Sequence, residues 1–184
     1  RMDKGLKDRL TYPEHPLSEL GPTVNVGVMV DGGVFYGICP GRAEFACDIR
    51  TLPNMTEDAL IADLQAFLDV AMADDPELDA ELRFETWVGA TEIKPDEPVI
   101  DALLSASGEV LGSVPRLEAF PGATDAPHFQ TTAGIPTVAA FGPGLLPLAH
   151  SPNEYLEVAS VEKAMRIYAL ASARFLAGTD QGSR

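Results

Sequence analysis

A polar segment without hydrophobic periodicity divides the sequence into two parts. Residues 91–98 read TEIKPDEP and contain two prolines. Proline fixes φ and has no backbone N–H to donate, so it is rare in the interior of helices and central strands. The segment therefore predicts a linker, and we expect one folded unit over residues 1–91 and a second over residues 92–184.

The first part has the pattern of a mixed unit of strands and helices. Runs of β-branched residues or alternating polarity predict strands over residues 23–30, 34–39, 43–49 and 82–88. Thr56 is a suitable N-cap for a helix that should end near Asp74. With a helix tail over residues 2–10, the order of elements is that of a ferredoxin-like fold without its first strand and most of its first helix.

The second part predicts helices alternating with a strand, which is the pattern of an α/β layer. Helices are expected over residues 98–112 and 125–134, and a last helix is expected from Ser160 to Gly178. Its apolar face should comprise Val161, Ala164, Met165, Tyr168, Ala171 and Phe175. Residues 136–141 (PTVAAF) are short and apolar, as expected of a buried parallel strand.

Charge and composition exclude several classes of partner and location. The formal net charge of -15 repels nucleic acid and anionic membranes. No stretch approaches the roughly 20 apolar residues that cross a bilayer. The two cysteines, Cys39 and Cys47, are too few for a disulfide scaffold, so we expect a cytoplasmic protein with both thiols packed in the core. The sequence begins at Arg1 rather than Met, and we expect further sequence upstream.

Three segments of the second part concentrate the reactive groups. They are residues 122–129 (GATDAPHF), 142–144 (GPG) and 149–154 (AHSPNE). The imidazole of His150 can ligate a metal ion, and Glu154 can orient a neighbour. A two-metal hydrolase needs about three protein ligands per ion, which the three histidines of this sequence cannot complete. His15 and His128 are expected to be incidental rather than ligands.

Five motifs, in one order along the sequence, carry a family resemblance. They read NVGVMVDGG, ICPGRAEFACDIRTLPNMT, GATDAPHF, GIPTVAAFGPG and AHSPNEYLEV. Together they resemble the dinuclear zinc peptidases and deacylases, which include acetylornithine deacetylase, succinyl-diaminopimelate desuccinylase, aminoacylase and glutamate carboxypeptidase. The resemblance implies a lid or dimerisation domain over residues 1–91, of ferredoxin-like fold, and the C-terminal segment of an α/β catalytic domain over residues 92–184. The N-terminal half of that domain, with the general base, is expected upstream.

The resemblance also implies roles for individual residues. His150 matches the family's C-terminal metal ligand, and Arg50 matches an arginine that binds the substrate carboxylate. Thr124 and Asp125 match a pair that lines the cleft, Gly142 to Gly144 match a backbone stretch near the substrate, and Glu154 has a supporting role. The expected function is metal-dependent hydrolysis of the amide of an N-acyl amino acid or small peptide with a free carboxylate. Two zinc ions are expected in a homodimeric protein, with cobalt or manganese as alternatives, and the chain alone should be inactive.

Several alternatives stay open at this level. Arg50 could pair with Asp48 or Glu44 on its own strand, and Asp125 could be only an N-cap. Gly37 stands where the family often has Asn, so a relative that binds substrate without turnover stays an alternative. The first part could also be a non-catalytic dimerising or small-molecule-binding module.

Overall fold

The computed structural model describes residues 2–18 and 21–179. The chain divides into two compact units, Arg1–Thr91 and Glu92–Arg184. Helices occur in both units and a two-stranded sheet occurs in the first, so the described fold is mixed α/β. None of the helices in the described part of the chain combines the length and the apolar character that a bilayer crossing requires.

The first unit is an antiparallel strand pair flanked by helices. Its elements are α1 (Met2–Lys7), β1 (Thr23–Gly32), β2 (Ala43–Arg50) and α2 (Glu57–Asp74). β1 pairs with β2 from Thr23 opposite Arg50 to Gly32 opposite Ala43, and the register shifts between Val26 and Met29. Gly27 lies inside this shift with φ +78°, a left-handed conformation that glycine adopts without a steric penalty.

Local signals in the first unit are confirmed where they depend on neighbouring residues alone. The Thr56 side chain accepts the Ala59 N–H at 3.3 Å, and α2 ends at Asp74 as expected. Leu60 is buried, and the other apolar positions at helical spacing are its half-buried neighbours. Three leucines of the first unit outside α2 are also buried: Leu6, Leu10 and Leu52.

Two predicted strands of the first unit are wrong. Residues 34–39 form turns and bends, and Tyr36 within them is 94% exposed. Residues 82–88 form no strand, although Leu82 and Phe84 are half-buried and alternate with exposed neighbours. Arg83 joins this segment to β2 through an ion pair with Glu44, Nη2 to Oε2 at 2.8 Å. The alternating polarity of this segment therefore predicts which of its first side chains are half-buried. It does not predict a strand, because a strand also requires backbone hydrogen bonds to a partner strand.

The second unit is built on a pair of packed helices, α3 (Pro98–Leu111) and α4 (Val158–Thr179). Pro98 begins α3 and Gly112 ends it with φ +78°, as the sequence predicts. One cluster of buried residues comprises Ala102, Ala106, Ile167 and Ala171, and partly buried Leu103, Val110, Phe141 and Leu170 pack against it. Because the other three members are alanines, Ile167 is the largest fully buried side chain of this cluster. Ile100 and Ala164 of the same helices are buried as well.

Three expectations for the second unit are wrong. Residues 136–141 form no strand, so the described part of this unit has helices and loops but no α/β layer. α4 begins before Ser160, whose hydroxyl donates to the Glu157 carbonyl at 2.6 Å from within the first turn, and it continues past Gly178. Ala164 and Ala171 of the expected apolar face of α4 are buried, but the buried face continues through Ile167, and Met165 is 65% exposed. Successive residues of an α-helix are about 100° apart around its axis, so Met165 and Ile167 point to nearly opposite faces of α4.

Candidate functional site

The loop after the 3-10 helix Leu146–Leu148 carries the candidate ligand His150. The backbone φ of His150 is +60°, in the left-handed region that residues with a Cβ seldom adopt. Its backbone N–H donates a hydrogen bond to Oε2 of Glu154 at 3.0 Å. The carboxylate of Glu154 therefore closes the loop onto the backbone of the histidine.

Further hydrogen bonds keep this loop folded on itself. The Ser151 hydroxyl donates to the Leu148 carbonyl at 2.6 Å. The Glu154 N–H donates to the Ser151 carbonyl at 3.2 Å. Asn153, between these residues, is also left-handed with φ +61°. Because all these contacts join residues 148–154, the geometry of the loop is set by its own sequence.

The donor chemistry of His150 fits one metal ligand. Its side chain is exposed, and its imidazole makes no hydrogen bond to residues 2–18 or 21–179. A ring nitrogen is therefore available to a ligand. Within the same residues, no three His, Cys, Asp or Glu side chains lie close enough to hold a metal ion together. The described part of the chain thus offers a single candidate ligand rather than a metal site, and no catalytic step follows from it.

The predicted cleft pair, Thr124 and Asp125, begins a short helix. The Thr124 hydroxyl oxygen accepts the Ala126 N–H at 3.3 Å, and the Asp125 backbone carbonyl accepts the His128 N–H at 3.0 Å. The helix continues through a π-helical stretch, His128–Thr132. Asp125 lies directly before the first helical residue, but in the described residues its carboxylate caps no backbone N–H. Thr124 provides the side-chain acceptor instead.

The glycine-containing segment 142–144 lies next to α4. Tyr168 of α4 donates its phenolic O–H to the Phe141 carbonyl, and the two rings meet edge to face with centroids 5.5 Å apart. A Cβ on Gly142 would lie 3.6 Å from the Tyr168 hydroxyl, and Gly144 is left-handed with φ +111°. The sequence predicts Tyr168 on the buried apolar face of the last helix, and the structure leaves it 44% exposed. Its structural role is to anchor the segment that precedes the glycines.

Arg50 is the last residue of β2. Its Nη2 atom contacts Oδ2 of Asp48 at 2.6 Å, and the two side chains are 44% and 39% exposed. The same-strand ion pair considered at the sequence level is therefore present. It occupies one of the two terminal nitrogens of the guanidinium, so N–H groups remain for a further acceptor.

The structure brings some of the predicted site residues together. His150 and Glu154 are in direct contact, while Arg50 bonds to its strand neighbour and Thr124 to its own turn. The expectation that both cysteines are core residues is wrong, because Cys39 and Cys47 are exposed free thiols. Burial of part of Cys47 nevertheless raises the pKa of its thiol, against a smaller lowering by a backbone hydrogen bond with Gly27.

Comparison with known proteins places these residues in a family context. A family model described as Peptidase family M20/M25/M40 matches residues 9–174. An acetylornithine deacetylase of Myxococcus xanthus is 30% identical over 156 residues, which cover 85% of this chain and 39% of that protein. An acetylornithine deacetylase of Pectobacterium atrosepticum is 31% identical over 146 residues, covering 77% and 34%.

A solved structure has a similar fold. It is an M20 family metallo-carboxypeptidase from Sulfolobus solfataricus, with a TM-score of 0.67, 22% sequence identity and coverage of 94% of this chain and 42% of that one. At this identity the similarity concerns the fold. The chain spans 39% and 34% of the length of the two deacetylases.

Proposed function

Because the chain belongs to peptidase family M20/M25/M40, we propose that it forms part of a metal-dependent amidohydrolase that acts on substrates with a free carboxylate. The names of the relatives support this substrate class. Acetylornithine and the substrates of carboxypeptidases both contain an amide bond close to a free carboxylate. The substrate is then an N-acyl amino acid or a small peptide. The matched chain covers only part of these relatives, so the remaining ligands and the general base belong to a longer protein.

The observation that carries the proposal is the exposed imidazole of His150 on a loop that its own hydrogen bonds hold closed. In the complete site His150 is one ligand of a zinc ion, within a pair of zinc ions as in the family. Such ions supply Lewis-acid chemistry at the substrate carbonyl when bound. The residues of this chain bind and orient, and none of them moves the proton in the hydrolytic step.

Substrate recognition falls to charged side chains and backbone groups. The guanidinium of Arg50 matches the planar geometry of a carboxylate, and it keeps N–H groups free of Asp48. Thr124 and Asp125 line the cleft, and backbone groups of Gly142 to Gly144 contact the substrate. Gly37 has φ +80°, a conformation that Asn also tolerates. Glycine in place of the family's Asn therefore lacks the amide side chain, while the backbone conformation can be the same.

The first unit serves as a ferredoxin-like lid that forms a homodimer in the cytoplasm. Exposed apolar side chains at the end of β1 and in its connection to β2 support this role, because large exposed apolar patches mark interaction surfaces. They are Met29, Val30, Val34, Phe35, Tyr36 and Ile38. Sedimentation of the full-length protein across a wide concentration range tests the dimer, and a monomer throughout would contradict it.

Hydrolysis by the full-length protein tests the proposed activity. Acetate release from N-acetyl-L-ornithine and other N-acetyl amino acids should be lost after chelation and return with zinc. The methyl esters of the same substrates, which lack the carboxylate, should be poor substrates. His150→Ala should abolish turnover, while His128→Ala, an exposed histidine of the same unit, should retain it. Absence of hydrolysis by zinc-loaded wild-type protein would favour a relative that binds without turnover.

A further inference from the structure

Left-handed backbone conformations are concentrated at the candidate ligand. Among the described residues, the non-glycine residues with positive φ are Asn54, His150 and Asn153. The left-handed region costs a residue with a Cβ free energy, and Asn and His are among those that adopt it most readily. Two such residues within one four-residue stretch require compensating contacts.

One compensating contact binds the His150 backbone, and a second closes the turn that follows it. Glu154 accepts the His150 N–H through its carboxylate and donates its own N–H to the Ser151 carbonyl. The hydrogen bond from the His150 N–H to the Glu154 carboxylate joins residues on either side of the left-handed Asn153. The carboxylate therefore reaches His150 only while the chain turns at Asn153. Neither bond involves the imidazole, which leaves the ring free.

We propose that Asn153 and Glu154 are positioning residues that hold His150 in its left-handed conformation and so aim its imidazole at the metal. The inference rests on the proposed function, in which His150 is a ligand. The value of φ fixes the direction of the Cα–Cβ bond, and hence the region that the ring can reach. Zinc ligands must meet the ion at a defined distance and tetrahedral angle, so a misdirected ring loses affinity.

Paired substitutions separate positioning from a general effect on stability. Glu154→Gln keeps a carbonyl acceptor for the His150 N–H, whereas Glu154→Ala removes it. Asn153→Gly keeps access to positive φ, whereas Asn153→Ala penalises it. Asn54→Ala is the matched control, because Asn54 is also left-handed, with φ 69°, but belongs to the first unit.

The measurement is the zinc dissociation constant of the full-length protein by competition with a chelator, with the melting temperature recorded for each variant. Glu154→Ala and Asn153→Ala should weaken zinc binding on the order of tenfold. Glu154→Gln and Asn153→Gly should restore most of that affinity. Asn54→Ala should lower the melting temperature and leave zinc binding unchanged.

The outcomes distinguish the inference from the proposal beneath it. If His150→Ala binds zinc as tightly as wild type, the ligand role itself fails. If His150→Ala loses zinc while both alanine variants at the neighbouring positions keep it, only the positioning inference fails. Should the alanine variants unfold, hydrogen exchange of the His150 backbone amide is measured in the folded Glu154→Gln protein. Protection near the wild-type level supports the positioning role of residue 154. Loss of protection together with full zinc affinity overturns it.

Discussion

Replacement of Arg50 by alanine separates a role in substrate binding from a role in stability. The structural contribution of Arg50 is small, because its contact with Asp48 joins two side chains that are 44% and 39% exposed. Exposed ion pairs contribute about 0.2–1 kcal/mol. A charge-assisted contact with a substrate carboxylate in a closed cleft is larger, and its loss costs about 2–4 kcal/mol. The two roles therefore differ in size as well as in kind.

The assay is kcat/KM of the full-length protein on N-acetyl amino acids, together with urea unfolding. Arg50→Ala should lower kcat/KM by about 30- to 1,000-fold, since each 1.36 kcal/mol is a factor of ten. Its zinc content should stay at the wild-type level. The free energy of unfolding should fall by no more than about 1 kcal/mol.

Two matched controls isolate the substrate contact. Asp48→Ala removes the same ion pair but keeps the guanidinium, so its kcat/KM should stay close to wild type. Arg83→Ala removes another exposed guanidinium of the first unit, paired with Glu44, and should also leave kcat/KM unchanged. Wild-type kcat/KM for Arg50→Ala on every carboxylate substrate would refute the binding role and leave Arg50 as a surface ion pair.

Further predictions concern stability and thiol chemistry. Ile167→Ala should lower the free energy of unfolding in urea by about 2–4 kcal/mol, because the alanines around Ile167 cannot fill the cavity. Met165→Ala, at a 65% exposed site of the same helix, should change the free energy of unfolding little. Equal effects of the two substitutions would contradict the burial of the Ile167 face. Burial raises the pKa of Cys47, so in a Cys39→Ser background its alkylation rate should rise at higher pH in the folded protein than in urea. The same or a lower pH in the folded protein would contradict this.

Elements defined by neighbouring residues could be predicted from the sequence. The Thr56 cap and the ends of α3 at Pro98 and Gly112 follow from local backbone chemistry. Residues 82–88 and 136–141 were predicted as strands and are not, because a strand exists only through backbone hydrogen bonds with a partner that local patterns do not specify. Burial within segment 82–88 alternates as predicted over residues 82–85, and the alternation ends where Glu85 and Thr86 are both exposed.

The candidate site was accessible to sequence reasoning mainly through resemblance. A lone histidine in a loop carries little information, and His150 stood out only because the motif around it matches a family. The left-handed conformation of Asn153 had a weak signal, since Asn is enriched at positive φ. The anchoring role of Tyr168 had none, because its hydroxyl meets a backbone carbonyl distant in sequence.

A crystal structure of the zinc-loaded full-length protein tests the central claim most directly. The account predicts an imidazole nitrogen of His150 at about 2.0–2.1 Å from a zinc ion, the usual zinc–nitrogen distance. It also predicts that the hydrogen bond from the His150 N–H to Glu154 persists in that complex. A zinc site completed by other residues, with the His150 ring turned away from the ion, would contradict the account.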